Sequence, residues 1–165
     1  MLRVTKLTDY ATVVLSALAE APDRVHSAAE LAERAGLELP TVSKVLKPLA
    51  HAGLVAGFRG SNGGYRLARP AEAISLIDIV EAIEGRVGVT ECSGEHSKCE
   101  LESHCGVRGN WRHINDVLAD ALRGISLAQM LVAPPARGGH LPPAQVLPPQ
   151  LAIRGKRIPL HLAGA

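Results

Sequence analysis

The stretch from Ser27 to Leu49 constrains this chain most, because it spells two short amphipathic helices joined by a tight turn. Ser27 suits the cap position at the head of a helix, and Glu30 stands three residues on, the spacing of a capping box. Leu31, Ala32 and Ala35 then share one face, and Gly36 suits the left-handed residue that ends a helix. Leu37-Glu38-Leu39 leads to Pro40, which fits the first position of a new helix. There Val42, Val45, Leu46 and Leu49 form a buried stripe and leave Thr41, Ser43, Lys44 and Lys47 on the outer face. Pro48 removes an amide and disfavours a helical Lys47, so this helix is expected to kink or loosen early.

The flanking segments extend the pattern. A first helix is predicted from Thr8 to about Glu20, with Tyr10, Val13, Val14, Ala17 and Leu18 on its apolar face and Pro22 beyond its end. After the Pro48 helix come two strand-like runs, Leu54–Phe58 and Tyr65–Ala68. They flank Arg59-Gly60-Ser61-Asn62-Gly63-Gly64, whose Asn-Gly pair signals a β-hairpin. Ser75, with Asp78 as its capping partner, opens a helix that buries Leu76, Ile79, Val80 and Ile83 and stops at Gly85. A longer helix is predicted from Gly106 to Arg123. In it Trp111, Ile114, Leu118, Ala121 and Ile125 recur at the 3-4 spacing of a short coiled-coil seam, with one more turn over 126–131. The only aromatics are Phe58, Tyr10, Tyr65 and Trp111, so the core is aliphatic and suits packed helices better than a β-sandwich.

Helix, helix, turn, helix and hairpin in that order make a winged helix-turn-helix, so the fold class is mainly α with a small β-hairpin plus a long dimerisation helix. Such a motif lays its second helix in the major groove. Thr41, Ser43, Lys44 and Lys47 are placed to meet bases and phosphates. Arg59 at the hairpin tip and Arg66 on the return strand suit the minor groove. Gly60, Gly63 and Gly64 let the backbone turn and approach the sugar-phosphate. Charge agrees with this division. Residues 1–70 hold nine Lys/Arg against six Asp/Glu, whereas residues 71–110 hold three against eight.

Residues 86–105 read as a loop that carries Cys92, Cys99 and Cys105 in a C-x6-C-x5-C arrangement. Three cysteines cannot pair off as disulfides, and structural zinc knuckles use closer pairs. The wide gaps suit a larger inorganic centre, and thiolates are the ligands of iron–sulfur clusters. Three thiolates leave one position open, with His96, His104, Asp9 and His113 as candidates. No apolar run reaches the ~20 residues of a membrane span and no secretory cleavage pattern follows the N-terminus, which predicts a cytoplasmic chain. Residues 132–165 hold seven of the eleven prolines and no acid, the composition of a disordered tail. No Ser/His/Asp or phosphate-loop arrangement suggests an enzyme.

The chain resembles the IscR/NsrR-type regulators of bacteria, winged-helix dimers that sense iron–sulfur status, nitric oxide or redox state. The resemblance spans residues 1–131. It rests on Leu7-Thr8-Asp9-Tyr10-Ala11, on Ala52-Gly53-Leu54-Val55, on Arg59 to Ala68 and on the three spaced cysteines. Cys105-Gly106-Val107-Arg108-Gly109-Asn110-Trp111 is most similar to regulators of SUF-type cluster assembly. The resemblance implies a homodimer that binds a double-stranded DNA operator, as a repressor. It implies a [2Fe-2S] or [4Fe-4S] cluster on Cys92, Cys99 and Cys105. Assembly-regulator relatives place a ligating His where Arg108 stands here, and Arg does not ligate. Asp9 occupies the place from which nitric-oxide sensors supply an acid across the dimer; it equally suits the first turn of a helix as a complement to its dipole. His104 is a further candidate. The rival readings are a nitric oxide or redox sensor of the same family, and an iron–sulfur carrier without DNA binding.

Overall fold

The computed structural model describes residues 4–60, 62–90 and 105–132, and all that follows concerns these. The elements run α1 (Lys6–Ala19), α2 (Ala28–Ala35), α3 (Leu39–His51), β1 (Val55–Phe58), β2 (Gly64–Leu67), a 3-10 turn (Ala71–Ala73), α4 (Leu76–Glu84), α5 (Arg108–Arg123) and α6 (Leu127–Leu131). The expected disordered tail lies, but for Val132, outside the described residues.

α1 is the hub, packed against α2, α3, α4, α6 and β2. It begins at Lys6, earlier than its sequence suggests, and its buried side is Thr8, Ala11, Val14, Leu15, Ala17 and Leu18. Val13, expected inside, is 37% exposed. Because α1 has neighbours on several sides, its core face is wider than one stripe and includes Ala11 and Leu15. Leu15, Leu18, Leu31, Leu46, Leu49 and Leu127 are sealed from solvent, each worth about 1.5–3 kcal/mol of burial.

Two capping signals behave differently. Ser75 and Asp78 form the full reciprocal box at the head of α4, and Gly85 closes the helix at φ 86°. Ser27 accepts from the Glu30 amide at 3.1 Å, but the Glu30 carboxylate does not return the bond. It turns instead to Arg24 Nη2 at 2.8 Å and sits 3.1 Å from Nδ1 of the buried His26. Within α4, Ile77, Ile79 and Val80 are buried, while Leu76 and Ile83 are only half-buried.

α6 belongs to the core. Ser126 and Gln129 form a second capping box. The Leu127 amide donates to Ile74 O at 2.8 Å, and the Leu76 amide donates to Ile125 O at 2.7 Å. These bonds clamp the α5–α6 corner to the start of α4 and bury Leu127 completely.

Candidate nucleic-acid interface and cysteine site

α2 ends at Gly36, whose φ of 63° is left-handed. Glu38 then takes the N-cap position of α3 without a side-chain bond, so Leu39 is the first helical residue and Pro40 the second rather than the first. Val42, Val45, Leu46 and Leu49 are the buried residues of α3. That burial fixes the helix's rotation and leaves Ser43, Lys44 and Lys47 exposed, with Thr41 half-buried. Neither lysine has an ion-pair partner among the described residues. Their charge is therefore available to an outside anion.

The expected loosening at Pro48 does not occur, and α3 continues to His51. Proline deprives only the Lys44 carbonyl of its donor, and Lys44 is exposed, where water serves instead. The last turn is held by the Ala52 amide on Pro48 O and the Leu54 amide on Leu49 O, both at 2.9 Å.

β1 and β2 pair antiparallel with Val55 opposite Leu67, Ala56 opposite Arg66, Gly57 opposite Tyr65 and Phe58 opposite Gly64. Val55 and Leu67 face the core. The alternation of a strand then turns Phe58 and Arg66 to the other face. The Arg66 guanidinium lies 5.1 Å from the centroid of the Phe58 ring. This pairing was not legible in the sequence; a diagonal aromatic–Arg pair emerges only once register is known.

The loop between the strands spans residues 59–63 instead of turning on Asn62-Gly63 alone. Among its described residues Gly60 takes a positive φ of 111°, and the Gly63 amide donates to Gly60 O at 3.0 Å. Arg59 is exposed at its start. Gly64 has a role within the chain. Its strand runs so close to His26 that a Cβ there would stand 2.3 Å from the His26 carbonyl oxygen. The His26 amide donates to Tyr65 O at 2.9 Å and the Tyr65 amide to His26 O at 2.7 Å. His26, two residues ahead of α2, thereby adds a one-bridge rung to the wing.

Of the cysteine segment, Cys92, Cys99, His96 and His104 lie outside the described residues. Cys105 is half-buried and not in a disulfide. α5 begins at Arg108, later than the predicted Gly106, with Val107 as an N-cap that offers no side-chain bond. Cys105 thus sits one turn ahead of the N-terminus of α5. A free thiol so placed fits the donor set an iron–sulfur centre requires. Among the described residues no group of three or more His, Cys, Asp or Glu could hold a metal. Asp9 is exposed in the first turn of α1 and has no partner among them, and His113 is exposed on α5.

The N-terminus of α1 is held from afar. Glu84 Oε1 accepts from the Thr5 amide at 3.0 Å, from the Thr5 hydroxyl at 2.6 Å and from the Thr8 hydroxyl. These bonds hold the Glu84 carboxyl below the usual carboxylate range. Glu84 closes α4, immediately before the cysteine segment, so one carboxylate ties that segment's root to the helix that carries Asp9.

α5 buries one residue, Asn115, whose Oδ1 accepts from the Val89 amide at 3.2 Å. Three of its large apolar residues are exposed: Trp111 at 37%, Ile114 at 42% and Val117 at 53%. Leu118 is half-buried and Ala121 exposed. Ile125 is 40% exposed but lies past the Gly124 cap, so it is not on the helix with the other four.

The Rrf2 family, described as an iron-dependent transcriptional regulator, matches residues 4–133. Protein aau3 of Rhizobium meliloti is 35% identical over 136 residues, 81% of this chain and 88% of that one. The transcriptional regulator IscR of Vibrio cholerae is 30% identical over 132 residues, 79% of this chain and 76% of that one. The solved structure of CymR, the global cysteine regulator of B. subtilis, superposes with a TM-score of 0.61 at 25% identity, over 79% of this chain and 97% of that one. No described helix is long and apolar enough to cross a membrane. The regulators it matches are not enzymes, and its own helix-turn-helix and wing carry free basic residues, so this chain belongs to the Rrf2 family of DNA-binding transcription regulators.

Proposed function

We propose that the chain is a homodimeric repressor of SUF-type iron–sulfur assembly genes whose DNA affinity depends on a bound iron–sulfur cluster. The observation that carries this reading is the junction at Cys105. A half-buried free thiol stands directly ahead of α5, and α5 turns outward an apolar face that none of the described residues covers. Cys92, Cys99 and Cys105 would hold the cluster. Its chemistry would be that of a centre gained, lost or oxidised as iron–sulfur supply and redox state change.

The protein's part is mechanical. Thr41, Ser43, Lys44 and Lys47 on α3, with Arg59, Gly60 and Arg66 on the wing, meet the duplex. Trp111, Ile114, Leu118, Ala121 and Ile125 meet a second copy. Glu84, bonded to Thr5 and Thr8, carries displacement of the cysteine segment to α1, on which α2 and α3 pack. For this to switch binding, the cluster must favour one of two conformations in free energy. Asp9 of the partner subunit serves as fourth ligand in this reading, being exposed and unpartnered among the described residues; His104 is the alternative.

The test is anaerobic purification of the full chain followed by visible and Mössbauer spectroscopy. Thiolate-to-iron charge transfer that disappears in Cys105→Ser supports the reading. A colourless protein with stoichiometric zinc refutes it. Asp9→Ala separates the ligands: loss of the cluster assigns Asp9, and an unchanged spectrum removes it. Salt-sensitive DNA binding distinguishes the regulator from an iron–sulfur carrier.

A further inference from the structure

Of the two aromatics on the wing strands, Tyr65 packs against the core, whereas Phe58 is 41% exposed. Strand register explains its neighbour. Arg66 pairs opposite Ala56, two residues before Phe58, so the two side chains lie diagonally on one outward face. The guanidinium lies 5.1 Å from the ring centroid, within the range of a cation–π contact. Arg66 has no ion-pair partner among the described residues. Its charge is held in place by the ring without being neutralised, which is what an anion contact requires. A free Arg side chain surrenders rotamer entropy when it binds; one already laid on an aromatic face surrenders less. Phe58 immediately precedes Arg59, so ring and guanidinium flank the tip of the wing.

We propose that Phe58 is a positioning residue for DNA binding: its ring holds the Arg66 guanidinium on the outer face of the wing, aimed at a backbone phosphate beside the groove that Arg59 enters. This rests on the reading of the chain as a DNA-binding regulator. The ring acts through Arg66 and has no base-reading role of its own. Tyr in its place preserves the function, because Tyr offers the same π face, whereas Leu keeps the bulk and loses it.

The test uses the full chain and a mixed-sequence duplex of about three helical turns, with binding followed by fluorescence anisotropy across a salt series. The slope of log affinity against log salt counts phosphate contacts. Arg66→Gln is expected to lower that slope by about one. Phe58→Leu is expected to weaken binding about two- to fivefold, the scale of an exposed cation–π pair, and to move the slope toward the Arg66→Gln value. Phe58→Tyr is expected to behave as wild type, and the double variant Phe58→Leu/Arg66→Gln no worse than Arg66→Gln alone. Losses that multiply in the double variant, or a Phe58→Leu protein with unaltered affinity and slope, overturn the proposal and leave the DNA reading standing. Wild-type protein that binds the duplex at no salt concentration overturns the DNA reading itself.

Discussion

Gly64→Ala is a sharper test of the wing's attachment than any charge removal. The added Cβ would stand 2.3 Å from His26 O, 2.6 Å from His26 C and 3.0 Å from Ser27 N, all backbone atoms that cannot swing aside. The strand must then move off His26 and break the two bonds that join His26 to Tyr65, now 2.9 and 2.7 Å. At about 1 kcal/mol for each of the two bonds and about 1–2 kcal/mol for leaving buried His26 backbone groups unpaired, the cost is about 3–4 kcal/mol. With an m-value of about 1.5 kcal/mol/M, the urea midpoint should fall by roughly 2–3 M at fixed protein concentration. Gly57→Ala is the control in the same hairpin. There the new Cβ meets only the Tyr65 ring at 3.6 Å, ordinary contact. It should leave the midpoint unchanged or raise it by the equivalent of about 0.5 kcal/mol, since Ala is less costly than Gly within a strand. If both variants unfold at the wild-type midpoint, the close approach of β2 to His26 is not a constraint on the fold and the reasoning fails.

Lys44→Ala and Lys47→Ala should each weaken binding to duplex DNA and lower the salt slope by about one, because neither lysine is neutralised within the described chain; slopes equal to wild type would remove α3 from the interface. Ile114→Asp places a carboxylate among the exposed apolar residues of α5 and should yield monomers by sedimentation equilibrium with unchanged far-ultraviolet circular dichroism; a persistent dimer would mean that subunits pair elsewhere. Glu84→Gln should destabilise the chain near neutral pH but hardly at all in acid. Glu84 titrates below its ordinary value when folded, so its contribution is present above the unfolded carboxylate range and is lost as pH falls through the folded pKa. Urea midpoints of the two proteins that stay equally far apart from pH 7 to pH 3 would contradict that assignment.

Most of the helical framework was legible because local chemistry suffices to set it. Ser27, Gly36, Ser75 and Gly85 terminate helices through bonds or dihedrals within a few residues. The four-residue stripe of α3 is buried as its spacing predicts. The order of these elements, with a basic Gly-rich hairpin after them, already indicated a winged helix-turn-helix. The basic residues on its outer face were legible for the same reason, since burial of Val42, Val45, Leu46 and Leu49 dictates which side chains remain outside.

What the sequence could not decide were features that depend on a partner distant along the chain. Glu30 leaves its capping box unreturned and pairs with Arg24, its carboxylate lying 3.1 Å from Nδ1 of the buried His26. Gly64 is glycine because another backbone passes 2.3 Å from its missing Cβ, not because a turn or a phosphate demands it. Glu84 clasps Thr5 across a separation of 79 residues, a bond no local pattern encodes. Arg66 meets Phe58 only through strand register, and Ile125 leaves the helical seam because Leu76 captures its carbonyl. Periodicity and capping act over one or two turns and can be read along the chain. Close approaches and competing hydrogen bonds arise only when the packed elements bring remote groups together.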